Sequence, residues 1–552
     1  MTFIASLAEV ISLGSVLPFI GVLTNPEAVY DQEWIKPFLQ TFNIINPQGL
    51  ILPLSIAFAI LAIFSGLMRL LILWATIWIS NATGADLGIK LYKTTINKSY
   101  EYHIENSSSE IIAAITQKIG ASTSVLISAS SVFTSLILFI SITTTLLIAD
   151  TLVAIIAGTS FIIFYGIIGY ISSFRLKRNS IEIANLQSSV VKSLQEGIGG
   201  IKDLILNATH NYFIKQYSSS VNILKNKQTE IQFINQAPRY LMESLAMILI
   251  AIFVITISTQ NGGLTEALPI LAIMALGAQR LLPVMQQLYL NWSVLVGSFG
   301  AISDVVELLN EDTDEIDRDQ KKLEFTESID LVNVSFRYTN SKLNVLEDVN
   351  ISIKKGDRVG IIGQTGSGKS TLIHILSGLL TPIKGNVLVD NVNISHNLLG
   401  WRKNIAYVPQ SIFLSDSSIF ENIAFGVSRN EINEKDVIHA ANQAKITSFI
   451  DKDPQGLNKL VGERGVKLSG GQRQRIGIAR ALYKYADVII LDEATSALDN
   501  LTEKEVMREI DALDENLTVI IIAHRLSTLN GCNKIYEVKD LAVKLVETEN
   551  LN

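Results

Sequence analysis

At 552 residues the chain exceeds the roughly 100–200 residues of one folding unit, which excludes a single small binding module. Hydrophobic residues make up 48% and charged residues 18%, well below the roughly 25% charged content of soluble chains, so part of the chain is expected in lipid. The formal charge of −7 argues against a broad basic surface for nucleic acid, and the lone Cys532 excludes an internal disulfide or a thiol-rich metal cluster.

The apolar content lies before residue 300, where six stretches are long enough to cross a bilayer core of about 30 Å. They run near Thr2 to Leu23, Leu50 to Ser80, Ser124 to Ala149, Thr151 to Ser173, Tyr240 to Ser258 and Ala267 to Leu295. The loop after the second carries Lys90, Lys93, Lys98 and Lys118, and the loop after the fourth runs from Arg175, Lys177 and Arg178 to Lys225 and Lys227. The connections near residues 24–49, at Asp150 and at 259–266 hold one positive residue, Lys36, among them. Positive loops stay inside, so both termini are expected in the cytoplasm. Met1 runs straight into apolar sequence without a basic flank, which suggests a start further upstream and a first span in place of a removable leader. Between Asp31 and Phe42, Trp34, Ile35, Phe38, Leu39 and Phe42 share one helical face that could lie on the outer membrane surface.

From Leu308 to Thr326 the chain turns polar and acidic, the composition of a linker. From Ile329 onward, short β-rich runs alternate with helical ones, as in a mixed or parallel sheet with crossover helices. Early in this region Gly363-Gln364-Thr365-Gly366-Ser367-Gly368-Lys369-Ser370 fits G-x-x-x-x-G-K-S between the apolar run Arg358 to Ile362 and the helical run from Thr371 to Leu380. Glycines let backbone N–H groups curl around a phosphate at a helix N-terminus, where orphan donors and the helix dipole favour an anion. Lys369 can then reach the β and γ phosphates and Ser370 can bind Mg²⁺. Further on, the apolar run Asp487 to Leu491 ends in Asp492-Glu493, two carboxylates at the carboxyl end of a strand. Asp492 suits the magnesium shell, and Glu493 can polarise a water in line with the γ-phosphate.

On these residues, and on Leu468-Ser469-Gly470-Gly471-Gln472, residues Ile329 to Glu549 resemble the nucleotide-binding domain of ATP-binding cassette (ABC) transporters. The resemblance implies an ATP site made of Tyr338 on adenine, Gly363 to Thr371 on the phosphates, and Gln410 beside Mg²⁺ and water. It implies hydrolysis by Glu493 with His524 gripping the γ-phosphate. It also implies that the signature, Leu468 to Gln472, and Asp499 act in trans on ATP held by a second copy, so a homodimer is expected. The stretch from Leu460 to Gly465 resembles the segment that meets the transmembrane loops.

The expected architecture is a six-helix membrane domain over residues 1–307, a linker over 308–326 and an α/β P-loop NTPase domain over 327–552. Six spans and one cassette are the layout of a half-exporter, whose inside loops near Tyr100 to Ile104 and Ala208 to Tyr217 would couple the two parts. The outer amphipathic stretch, the Ala8 to Ser12 opening and the loop from Asn97 to Ser109 resemble bacterial flippases of lipid-linked oligosaccharides. That resemblance implies an amphipathic pyrophosphate-bearing substrate, for which Arg69 and Arg280 are the intramembrane cations; snorkelling, or pairing with Glu9, is their structural alternative. A broad exporter of lipids, drugs or peptides is the rival reading, and an ATP-gated channel or regulator the rival from another class. A bacterial inner membrane is the expected location.

Overall fold

The computed structural model describes residues 46–546, apart from 150, 259–262, 311–319, 451–452, 495–499, 512–514, 524–528 and 530, together with Tyr30. The expected first span, the amphipathic stretch from Asp31 to Phe42, Asp499 and His524 lie outside the described residues. The chain divides into two compact units, one of residues 1–98 with 103–313, the other of Ser99–Tyr102 with 314–552.

The first unit is helical: α1 (Ile51–Ile96), α2 (Tyr100–Glu105, only partly in this unit), α3 (Ile119–Ala149), α4 (Thr151–Gly199), α5 (Ile201–Leu206), α6 (His210–Ser258), α7 (Gly263–Gly297) and α8 (Phe299–Asn310). Among the described residues three stretches are long and apolar enough to span a membrane, Pro47–Ile96, Ser108–Thr144 and Gly158–Gly199, and the pair Leu281–Gly297 and Phe299–Asn310, bent by 46°, makes a fourth if taken together. Several helices run well past the apolar stretches that announce them. Hydrophobicity marks the part in lipid, whereas a helix ends only where its hydrogen bonds are broken. Thus α4 continues beyond Ser173 through polar sequence supported by an Arg178–Glu182 pair four residues apart at 3.0 Å.

Packing inside this unit centres on Ile142, Phe161, Tyr165, Met242, Leu281, Met285 and Tyr289. Pro238 lies within α6. Lacking an N–H, it leaves the carbonyl of Ile234 without its helical donor, and the Tyr289 hydroxyl of α7 donates to that oxygen at 3.2 Å. Close helix approach is set elsewhere by Gly300, whose N–H donates to Ser180 Oγ at 2.7 Å; a Cβ there would come within 2.7 Å of the Ser180 carbonyl oxygen. Lys118 and Asp304 form an ion pair between distant segments of the same unit.

The second unit holds two sheets. Strands β1 (Ser328–Phe336), β2 (Leu346–Lys354), β4 (Lys384–Val389) and β5 (Val392–Asn393) form an antiparallel sheet in the order β2-β1-β4-β5. Strands β3 (Arg358–Ile362), β6 (Ile405–Val408), β7 (Val488–Asp492), β8 (Thr518–Ile522), β9 (Lys534–Lys539) and β10 (Ala542–Val546) form the other, in the order β10-β9-β3-β8-β7-β6, parallel except at β10. Its central strands are buried on both faces and therefore read as continuous apolar runs. Alternation divides them between two cores: Ile489 and Leu491 face the one built on Ile476 and Val437, and Val488 and Ile490 the one built on Leu372 and Trp401. By the same period Asp492 belongs to the Val488 and Ile490 face.

Candidate ATP site

In this sheet β3, β8, β7 and β6 are parallel neighbours, so their carboxyl ends lie side by side. From them issue, in that spatial order, the phosphate loop from Gly363, the segment leading to His524, the pair Asp492-Glu493, and Pro409-Gln410. Segments whose first residues lie up to 160 positions apart in the chain, as 363 and 523 do, thus converge at the crevice where open α/β sheets hold ligands.

The loop after β3 turns into helix α9 (Lys369–Leu376) through Gly363, Gly366 and Gly368, with φ of 149°, 82° and 103°. A Cβ on Gly363 would sit 2.4 Å from the Val538 carbonyl oxygen, so only glycine lets the loop lie this close to β9. Lys369 is buried and donates to the carbonyl oxygens of Gly363 and Gln364 at 2.8 and 2.9 Å, which holds its ammonium over the loop. Ser367 Oγ is buried without a hydrogen-bond partner in a loop whose amides form a helix N-terminus. An orphaned hydroxyl among orphan donors is what a polyanion would satisfy. Ser370 is exposed on the first turn of α9, and Thr371 is buried with its hydroxyl 3.1 Å from that of Tyr338, whose ring stands edge-on to Phe336.

The two adjacent carboxylates are held apart. Asp492 ends β7, is nearly buried, and accepts a hydrogen bond from the Tyr407 hydroxyl at 2.8 Å. Burial lifts its pKa above the ordinary aspartate value, with Glu493 adding to the rise, while the Tyr407 hydrogen bond and the charges of His374 and Lys369 oppose it. A buried carboxylate of this kind gains most from a hard divalent cation. Glu493, at a φ of 49°, leaves the strand direction in a left-handed turn, and Gln410 donates to its carboxylate at 2.6 Å. Asp492, Ser370 and Gln410 supply hard oxygen donors from three neighbouring segments, a set that fits Mg²⁺.

The signature opens helix α10 (Gly470–Tyr483). Ser469 is its N-cap: its hydroxyl accepts from Gln472 N–H at 3.2 Å and its own N–H donates to Gln472 Oε1 at 2.9 Å. Arg473 donates to the Leu468 carbonyl at 2.8 Å, pinning the loop before the helix. Ser469 is exposed, so this second helix N-terminus opens to the surface. Beside it Leu460 and Val466 are exposed apolar residues, and Val461 is buried.

Tyr407 and His374 belong to none of the motifs read from the sequence, yet the structure brings both to this site. The Tyr407 ring stands edge-on to His374 at 6.2 Å, and His374 stands edge-on at 5.2 Å to Tyr100, one of the four early residues that belong to this unit. The only sequence signal was position: Tyr407 lies three residues before Gln410, on the strand next to β7. Replacing Tyr407 with Phe keeps the ring stack and removes the donor to Asp492. Mn²⁺ binding in the presence of a non-hydrolysable ATP analogue, followed by electron paramagnetic resonance, is expected to weaken on the order of tenfold, with little change in metal-free nucleotide affinity.

A phosphate loop on a parallel sheet, with acidic residues at the end of a second parallel strand, defines a P-loop nucleotide-binding domain. Residues 346–496 match the ABC transporter family, and residues 16–277 match the ABC transporter transmembrane region. The chain belongs to the ABC transporter family, as an exporter-type membrane domain followed by a nucleotide-binding domain. It is 28% identical over 521 residues to the ATP-dependent lipid A-core flippase of Neisseria meningitidis serogroup B, covering 92% of this chain and 82% of that one. The flippase of Methylobacillus flagellatus is 32% identical over 364 residues, 65% of this chain, and the match spans 61% of that relative's length. A bacterial Atm1-family ABC exporter with ATP bound superposes with a TM-score of 0.80 at 21% identity, over 98% of this chain and 95% of that one. The shared fold is that of an ABC exporter.

Proposed function

We propose that the chain is one half of an ATP-hydrolysing exporter that moves an amphipathic lipid, of the lipid-linked glycan class, from the cytoplasmic leaflet outward. The observation that carries the ATPase part is the convergence of the Lys369 loop, Asp492 and the Gln410–Glu493 pair at one edge of one sheet. Glu493 takes a proton from the attacking water while the bond between the γ-phosphorus and the β–γ bridging oxygen breaks, releasing ADP and phosphate. Ser370, Gln410 and Asp492 would hold Mg²⁺, which would neutralise charge on the phosphates. Tyr338 serves the base and His524 the γ-phosphate.

The exposed start of the signature helix, at Ser469, supports the second half of the reading. Its capped N-terminus, from Leu468 to Gln472, would close together with Asp499 over the nucleotide of an identical partner, so that two copies enclose two ATP molecules. Binding would then favour the closed, outward-open state, and hydrolysis would release it. The lipid part rests on the names of the relatives and on the membrane domain. The same relatives support placement in a bacterial inner membrane. Arg69 is exposed on α1, and the side chain of Arg280 lies outside the described residues.

In proteoliposomes loaded symmetrically with a labelled lipid-linked glycan, ATP added outside is expected to deplete label from the leaflet facing the cassettes. Dye or peptide transport without that depletion would favour the broad exporter, and nucleotide-gated ion current without hydrolysis would favour the channel.

A further inference from the structure

Residues 320–326 close the acidic stretch ahead of β1 and belong to the second unit. They have no regular secondary structure, yet they are bonded along their length to the cassette. Leu323 N–H donates to the Gly400 carbonyl at 3.1 Å, the Leu323 carbonyl accepts from Asn404 Nδ2 at 2.6 Å, and the Gln320 carbonyl accepts from Lys403 Nζ at 2.6 Å. Phe325 is buried edge-on against Trp401. A Cβ on Gly400, in the short helix Leu398–Lys403, would overlap the Lys321 carbonyl oxygen, so glycine there is what lets the segment lie this close. The segment is a strap laid on the cassette.

Its fastening points are the far ends of the elements that build the ATP site. Asn404 immediately precedes β6 and is fully buried; its side chain holds the strap, while its carbonyl accepts from the N–H of Val488, the first residue of β7, at 2.9 Å. Asp487 immediately precedes β7 and pairs with Lys322 of the strap at 2.7 Å. Lys484, just after the signature helix α10, donates to the carbonyls of Arg402, at 2.8 Å, and Ile405. The amino ends of β6 and β7 and the end of α10 are thus tied in one knot, and Lys322 and Leu323 are the strap's part of it.

The carboxyl ends of the same two strands carry Gln410 and Asp492-Glu493. A strand cannot stretch, because consecutive Cα atoms stay about 3.8 Å apart, and β6 and β7 are paired in parallel from Ile405–Val488 to Val408–Leu491. A slip of one against the other at the amino end therefore reaches the carboxyl end, about 20 Å away, with little loss. There the Gln410 amide meets the Glu493 carboxylate at 2.6 Å, a contact that weakens steeply when misaligned.

We infer that the strap is a positioning element for hydrolysis: through Lys322–Asp487 and Leu323–Asn404 it fixes the stagger of β6 against β7 that brings Gln410 onto Glu493. The inference rests on the ATPase reading above and adds to it residues at the opposite end of the sheet from the phosphate loop.

The test uses the full chain in phosphatidylcholine nanodiscs and three readouts: ATPase kinetics, melting temperature, and hydrogen exchange of segments 404–410 and 487–493 by mass spectrometry. Lys322→Met is expected to lower kcat about three- to fivefold, the scale of one half-exposed ion pair, with KM for ATP within about twofold and faster exchange in both segments. Lys322→Arg keeps the pair and should retain kcat within about twofold. Asp390→Asn is the control, because Asp390 fastens the other end of the strap, accepting from the N–H groups of Thr326, Glu327 and Ser328 at 2.6, 2.9 and 2.9 Å on the turn between β4 and β5. It should lower the melting temperature at least as much as Lys322→Met and leave kcat within about 1.5-fold. Wild-type kcat or unchanged exchange in Lys322→Met, or a kcat that falls with melting temperature in both variants, overturns the inference. The two readings fail separately. Faster exchange of both segments in Lys322→Met, in a protein whose wild type releases no phosphate, removes the ATPase reading and keeps the strap's hold on Gln410 and Glu493. An active wild type with unchanged exchange and kcat in Lys322→Met removes the strap's role and keeps the ATPase.

Discussion

Glu493→Gln is expected to lower phosphate release by about a hundredfold or more, the contribution of a positioned general base, while ATP still binds. The substitution keeps the side chain's size and its contact with Gln410, which presently donates to the carboxylate at 2.6 Å. It removes a carboxylate that can take a proton from water, distinct from the Asp492 carboxylate that Tyr407 holds. Nucleotide contacts through Lys369 and the loop amides are untouched, so the affinity for ATP should stay within a few-fold and occluded ATP should accumulate. Single-turnover release of labelled phosphate, together with retained nucleotide after gel filtration, measures both quantities. Phosphate release at the wild-type rate would show that another group is the base.

The second large effect concerns which polypeptide completes each pocket. Lys369→Ala removes the ammonium now fixed at 2.8 and 2.9 Å over the loop, and Ser469→Arg fills the exposed helix N-terminus that the capping box holds open. Each homodimer carrying one lesion has two damaged sites and should occlude almost no ATP. When the two single variants are co-expressed and their mixed dimer isolated, both lesions fall on one composite site if pockets are shared, and the other is intact. The mixed dimer should therefore occlude one nucleotide, whereas a dimer of wild type with the double variant should occlude none. If pockets were built within one chain, these two results would exchange places. The comparison needs no absolute activity and is insensitive to a modest loss of stability from the cap, about 1 kcal/mol.

Much of the nucleotide site was legible because its chemistry needs contiguous residues. Gly363 to Ser370 must be local, since a loop that wraps one phosphate is only a few residues long, and its flanking strand emerges as Arg358–Ile362. The following helix was less well bounded. It begins at Lys369 and stops at Leu376, short of the apolar run to Leu380, where the chain turns at Gly378 with a φ of 70°. The helices of the membrane unit were bounded least well, because apolar composition reports burial in lipid and says little about where a helix ends; α6 begins at His210, thirty residues before its apolar stretch at Tyr240.

What the sequence determined by itself is the set of local devices and their order: apolar stretches, a phosphate loop, a carboxylate pair after a strand, and a capped glycine-rich helix start. These follow from short-range sterics, hydrogen-bond capping and hydrophobicity, which neighbouring residues settle among themselves. Only the tertiary structure decided which distant groups meet. The parallel order β3-β8-β7-β6 sets Gln410 on Glu493 and Tyr407 on Asp492, and the packing of α7 against α6 sets the Tyr289 hydroxyl on the Ile234 carbonyl that Pro238 leaves open. Such pairings depend on strand order and helix register across tens to hundreds of residues, which no local pattern encodes.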